Sequence, residues 1–146
     1  MKRLKFLPIL MPFLVAFLSV GFLYANSGYF ITNTGLVYAR GVIVYWESNC
    51  INEVTAIDWG LLSPGEIGYK DVYIKSISTF PVTLNISSND WIPPEAETSI
   101  FFSTDYLGGS LNSQTVLKVT FYLEIDSAIQ DITDFVFDIW VMAESL

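Results

Sequence analysis

Residues 115–126 read TVLKVTFYLEID. Leu117, Val119, Phe121, Leu123 and Ile125 take every second position, with Lys118, Thr120, Tyr122, Glu124 and Asp126 between them. Successive side chains of a strand point to opposite faces, so this alternation predicts a half-buried antiparallel strand. Residues 134–143, DFVFDIWVMA, repeat it, with Phe135, Phe137, Ile139, Val141 and Ala143 on one face and Val136, Asp138, Trp140 and Met142 on the other. In the connecting SAIQDIT, Ser127 and Gln130 have the spacing of a capping box, which predicts one helical turn.

Working outward, residues 37–46, 54–59, 68–76, 82–87 and 100–103 are rich in β-branched and aromatic side chains and read as further strands, and 29–32 could add a first one. Turn chemistry separates them: Ser63-Pro64-Gly65-Glu66, Thr79-Phe80-Pro81, Trp91-Ile92-Pro93-Pro94 and Leu107-Gly108-Gly109-Ser110. Seven or eight short strands with regular turns predict an all-β antiparallel sandwich or small barrel. The expected inward set is Val54, Val72, Ile74, Val82, Leu84, Ile86, Leu117, Val119, Phe121, Leu123, Phe135, Phe137, Ile139 and Val141.

The N-terminus is different. Lys2, Arg3 and Lys5 precede nineteen uncharged residues, Phe6 to Tyr24, and Ala25-Asn26-Ser27 is a small-x-small site at which a signal peptidase could cut. A basic flank before such a run is the pattern of a signal peptide or an N-terminal membrane anchor, read as one hydrophobic helix. The run exceeds the core of a typical cleaved signal, while Pro8 and Pro12 weaken its first half as a helix, so both readings stand. Either one divides the 146-residue chain into a leader, 1–27, and a domain, 28–146. Either one also sends the domain outside the cytoplasm, anchored through residues 6–25 if the leader is retained.

The whole chain has seven basic and fifteen acidic residues, a net charge of −8. The domain keeps all fifteen acids but only Arg40, Lys70, Lys75 and Lys118, which makes it −11. A surface of that sign repels phosphate backbones, so nucleic acid is not an expected partner. With no His in the chain, the common His-dependent catalysts and zinc sites are excluded. Cys50 is the only cysteine, so no intrachain disulfide can form. Its expected state is a small buried apolar side chain, with an interchain disulfide or reactive thiol as the sharper alternative.

A resemblance follows from residues 57–84. Ile57-Asp58-Trp59-Gly60-Leu61-Leu62-Ser63-Pro64-Gly65-Glu66 leads into Val72-Tyr73-Ile74-Lys75-Ser76-Ile77-Ser78 and then Phe80-Pro81-Val82-Thr83-Leu84. This progression resembles the immunoglobulin-like domains of the Hydin and major-sperm-protein type, with Ser76 where that family usually has Asn. The resemblance implies an immunoglobulin-like sandwich and no particular activity. In its architecture, an acidic exported sandwich behind a basic-apolar leader is also similar to small exported subunits of archaeal surface proteins and pili.

Motifs for nucleophilic catalysis and phosphate binding are absent, and neither an enzyme activity nor a cofactor is expected. Asp126, Asp131 and Asp134 flank one loop and are weak calcium candidates without EF-hand spacing. Trp46, Trp59, Trp91 and Trp140 are many for this length. Val136, Trp140 and Met142, opposite the core face of the last strand, are candidates for an interface or a sugar-stacking surface. Asn85-Ile86-Ser87 is a glycosylation sequon on a predicted strand. The expected role is structural, adhesive or protein-binding, with other surface proteins or copies of itself as partners. Two alternatives are a carbohydrate- or calcium-binding module, and a filament subunit that donates residues 29–46 to a neighbour's sheet edge.

Overall fold

The computed structural model describes residues 29–146; the leader, with its basic flank and apolar run, lies outside the described residues. Eight strands follow in order: β1 Thr32–Arg40, β2 Val42–Tyr45, β3 Ala56–Ile57, β4 Ile67–Ser76, β5 Val82–Ile92, β6 Ile100–Thr104, β7 Val116–Ile125 and β8 Asp134–Ser145. They form two four-stranded sheets, ordered β3-β1-β8-β5 and β2-β4-β7-β6. Every pairing is antiparallel except β1 with β8, which run parallel from Thr32↔Asp134 to Arg40↔Met142. The two sheets pack together, an arrangement compatible with a β-sandwich.

The alternation read from the sequence sets the packing. Phe121, Leu123 and Ile125 of β7 and Phe135, Phe137, Ile139 and Val141 of β8 are all buried, as are Val72 and Ile74 of β4 and Val82 and Leu84 of β5. Ile86 and Leu117, also expected inside, are half-buried against this core. Aromatic rings join the sheets: Phe102 of β6 meets Phe121 edge-on at 5.3 Å and lies 5.9 Å from Phe137 of the opposite sheet. Trp91 stacks on Phe137 at 4.3 Å. Such pairs add about 0.5–1.5 kcal/mol each beyond their buried area.

The expected strand over 37–46 is instead two strands in different sheets. Gly41, at φ +75°, separates them, and an added Cβ there would lie 2.8 Å from the Cβ of Ala143. Only glycine adopts that conformation freely. Across this break the inward positions change parity, from Asn33, Gly35 and Val37 to Val42 and Val44. The segment proposed for donation to a neighbour is thus engaged within its own chain, with β1 between β3 and β8 and β2 against β4, which argues against strand donation through it.

Three further expectations change. The 54–59 strand shortens to Ala56–Ile57. The 82–87 strand extends to Ile92, with a bulge between Asn89 and Ile92. The loop 126–133 holds no helical turn: Asp126 closes a tight turn, its backbone carbonyl accepting from Ile129 and its carboxylate from Ala128. That local acceptor competes with helix formation. The one short helix among the described residues is a 3₁₀ segment, Pro94–Thr98, which inserts Ala96 into the core after β5.

The outer edge of β5 is blunted. Val82 exchanges both backbone hydrogen bonds with Leu111, and the Leu84 N–H donates to the Tyr106 hydroxyl at 3.0 Å. The Tyr106 hydroxyl in turn donates to the Gly109 carbonyl.

Phe121→Ala should lower unfolding free energy by about 3–5 kcal/mol in denaturant titrations, because it removes a fully buried ring; a loss under about 0.5 kcal/mol, the surface range, would overturn the face assignment. Gly41→Ala should also lower the midpoint, while Gly108→Ala, with nothing within 4 Å, should cost less despite a similar φ of +87°.

Candidate functional site

The outward face of the β2-β4-β7-β6 sheet is the most distinctive surface of the domain. Pairing registers define its rows. Ile67, Glu124 and Phe101 share the first, and Tyr69, Tyr122 and Ser103 the second. Asp71 and Thr120 form the third, with Asp105 beside Thr120 and accepting from its backbone N–H at 2.8 Å; Tyr45, Tyr73 and Lys118 form the fourth, with Glu53 bridged to Tyr45, and Ile43, Lys75 and Val116 the fifth. Partner residues in a register point to the same side, so these side chains form one continuous patch. Tyr69 is 69% exposed, Ile67 55% and Phe101 49%. Tyr45, Tyr73 and Tyr122 are half-buried among their neighbours. Four tyrosines, a phenylalanine and aliphatic residues on an open sheet are the chemistry of a contact surface: tyrosine offers a broad rigid apolar ring and a polar tip that tolerates water.

This face holds two of the domain's three lysines. Lys75 and Lys118 stand among Asp71 and Glu124, with Asp105 and Glu53 at its margins, whereas the domain as a whole is −11. The Lys118 ammonium lies 2.8 Å from the Asp71 carboxylate, which also accepts from the Thr120 hydroxyl at 2.8 Å. These bonds hold the Asp71 carboxyl below its ordinary range, and the Asp71 contact raises Lys118. The pair is solvent-exposed and therefore worth little to stability, but it fixes two charges at the centre of the patch.

The outward face of the other sheet carries the residues singled out in the sequence. Trp140 does not stand free: Tyr38 of β1 stacks on it at 5.0 Å, with 22° between the rings. One face of the Trp140 ring is thus occupied by Tyr38. Val136 is 37% exposed and Met142 half-buried. Asp138 sits in the same strand, and the β5 bulge brings Asp90 beside it. Burial, and then the Asp90 carboxylate, raise the Asp138 pKa above its ordinary 3.8. Arg40 is alone against Asp134, Asp138 and Glu144 on the outward positions of β1 and β8, so this face is acidic.

The calcium candidates do not converge. Asp126 is engaged in its turn, Asp131 occupies a left-handed position at φ +64°, and Asp134 is 3.4 Å from the Thr133 hydroxyl. Among the described residues no three His, Cys, Asp or Glu side chains gather closely enough to hold a metal ion. Asp134 does line an open cavity of about 420 Å³ with Thr32, Thr34, Asp58 and Gly60. Its one buried polar side chain, Asn33, is satisfied: the amide donates to the Gly60 carbonyl at 3.0 Å and the oxygen accepts from the Trp59 backbone N–H at 3.2 Å.

Cys50 is half-buried rather than buried. It lies in the tight 46–53 loop at φ +56°, with its sulfur 3.6 Å from the Ser48 carbonyl, because the turn leaves no core position for it. Asn85 is exposed on β5, as its outward register predicts, and its amide donates to Glu144 at 2.9 Å.

The tyrosine face was not singled out in the sequence. Its signal is present, since Tyr69 and Tyr73 lie opposite the inward Val72 and Ile74 of β4, and Tyr122 opposite the inward positions of β7. A two-letter division into apolar and polar positions places them with Lys118 and Glu124 as ordinary solvated residues.

Folding makes Asp138 hold its proton more tightly than the unfolded chain does. Stability from this group is full below pH 3.8 and is lost as pH rises through the raised value. Asp138→Asn should therefore melt above the wild type at pH 7, with the gap closing near pH 3 in calorimetric scans; an equal gap at both would refute the assignment. Neither the protein-family models nor the curated proteins compared with this sequence match it.

Proposed function

We propose that this chain is a non-catalytic extracytoplasmic surface protein that works through protein contacts, built on an immunoglobulin-like sandwich. The observation that carries the reading is the tyrosine face on the β2-β4-β7-β6 sheet, where Tyr45, Tyr69, Tyr73, Tyr122, Ile67 and Phe101 gather on one side. A monomer working alone has no use for such a face, because exposed rings at this density favour association. Interfaces are enriched in aromatic side chains, and this face is. The basic-apolar leader supports the exported location, and the strand–Pro-Gly–strand progression supports the immunoglobulin-like type.

A photoreactive residue placed at position 69 of the full chain, in the cells that make it, tests the reading. Irradiation should yield a protein adduct at 69 and none at position 95, an exposed site on the 3₁₀ segment. No adduct, or equal adducts at both positions, would overturn it.

A further inference from the structure

We infer that Asn85 carries an N-linked glycan whose first sugars lie against Trp140. The inference rests on the extracytoplasmic location proposed above and leaves the tyrosine face to its contacts. Asn85-Ile86-Ser87 is the only Asn-x-Ser or Asn-x-Thr tripeptide in the chain. The fold presents both of its polar residues. Asn85 and Ser87 are two positions apart on β5 and share the outward side, with Ile86 turned toward the core. Asn85 is exposed, and β5 is the last strand of its sheet, so no further strand of the sheet stands beside it there.

The bond is made at the amide nitrogen. The donor is an oligosaccharide activated as a lipid phosphate ester, delivered by a membrane transferase outside the cytoplasm. The bond from Asn85 Nδ2 to the sugar C1 forms, and the C1–O bond to the lipid phosphate breaks. Its electron pair leaves with the phosphate, and the amide releases one proton. The Ser87 hydroxyl completes the tripeptide that the transferase accepts. The second amide hydrogen remains, and Glu144 can keep it: the Asn85 amide donates to the Glu144 carboxylate at 2.9 Å.

The register shows where the first sugars go. On β8, Glu144, Met142 and Trp140 stand opposite Thr83, Asn85 and Ser87. Glu144 thus holds the amide from one diagonal, and Trp140 lies on the other. Diagonal neighbours are about 7–8 Å apart, within reach of a group attached at Nδ2. Tyr38 takes one face of the Trp140 ring from the β1 side. On the β5 side the ring's neighbours are Asn85, Ser87 and Asn89, all too small to cover it. The C–H side of a sugar ring is apolar and packs on such a flat aromatic face. The glycan would then shield the acidic outward face and the β5 edge, on the sheet that does not carry the tyrosines.

The full chain from the cells that make it supplies the test. Trypsin releases residues 76–118 as one peptide, and mass spectrometry should find a sugar increment on Asn85. Ser87→Ala should abolish the increment and Ser87→Thr should keep it. An unmodified peptide from a chain recovered outside the cytoplasm, or an increment that survives Ser87→Ala, overturns the site and leaves the location standing; a chain confined to the cytoplasm overturns both. The ring contact is read from melting temperatures. The wild-type chain made in cells that lack the transferase should melt about 2–5 °C below the glycosylated chain, and Trp140→Leu should abolish that gap. A gap that persists in Trp140→Leu, or no gap in the wild type, overturns the contact with Trp140.

Discussion

The parallel ladder between β1 and β8 is the constraint on which the domain depends. It joins residues about a hundred positions apart, from Thr32 beside Asp134 to Arg40 beside Met142. With β1 in place, the last strand is covered on both sides, by β1 and β5, and its inward Phe135, Phe137, Ile139 and Val141 are fully enclosed. The chain must then leave β1 and enter the other sheet at once, and Gly41 makes that step. So a single glycine links the strand that closes one sheet to the strand that flanks the other. Pairings this distant in sequence form late and slowly, after the local hairpins.

With one cysteine and no disulfide, the domain is held by its core. Phe102, Phe121, Phe137 and Trp91 form an aromatic set that spans the gap between the sheets, so neither sheet can slide without breaking ring contacts. The same division of labour organises the surface. Burial uses one side of each strand, which leaves the other side of β4 and β7 free to carry tyrosines. The two outward faces then differ: one has Tyr38 stacked on Trp140, the other holds Lys75 and Lys118 and leaves Tyr69 open.

Much of the fold was legible because burial imposes a period of two. The alternation in 115–126 and 134–143 identified β7 and β8 nearly to their ends, and Ser63-Pro64-Gly65-Glu66 marked a real turn, with Glu66 N–H donating to the Ser63 carbonyl and Gly65 at φ +81°. What failed to show was the division at Gly41, since β-branched residues flank it on both sides. The mark of it is a one-step change of parity in the inward residues, and a strand read as continuous hides it. The candidate site was less legible still. Trp140 drew notice for its size, but which aromatic rings remain open depends on pairing between distant strands: β1 brings Tyr38 onto Trp140, and β4 with β7 assembles Tyr69 and Tyr122 side by side. No local window contains either fact.

The blunted edge of β5 bears on how such molecules can crowd together. Open strand edges invite unlimited growth, because each added strand presents a fresh edge to the next. Here Leu111 and Tyr106 occupy hydrogen-bonding groups at the start of β5, and the bulge twists its far end. Strand addition at the β5 edge is thereby discouraged. A foreign strand that met this edge would find its first hydrogen-bonding groups taken and its far end turned out of line.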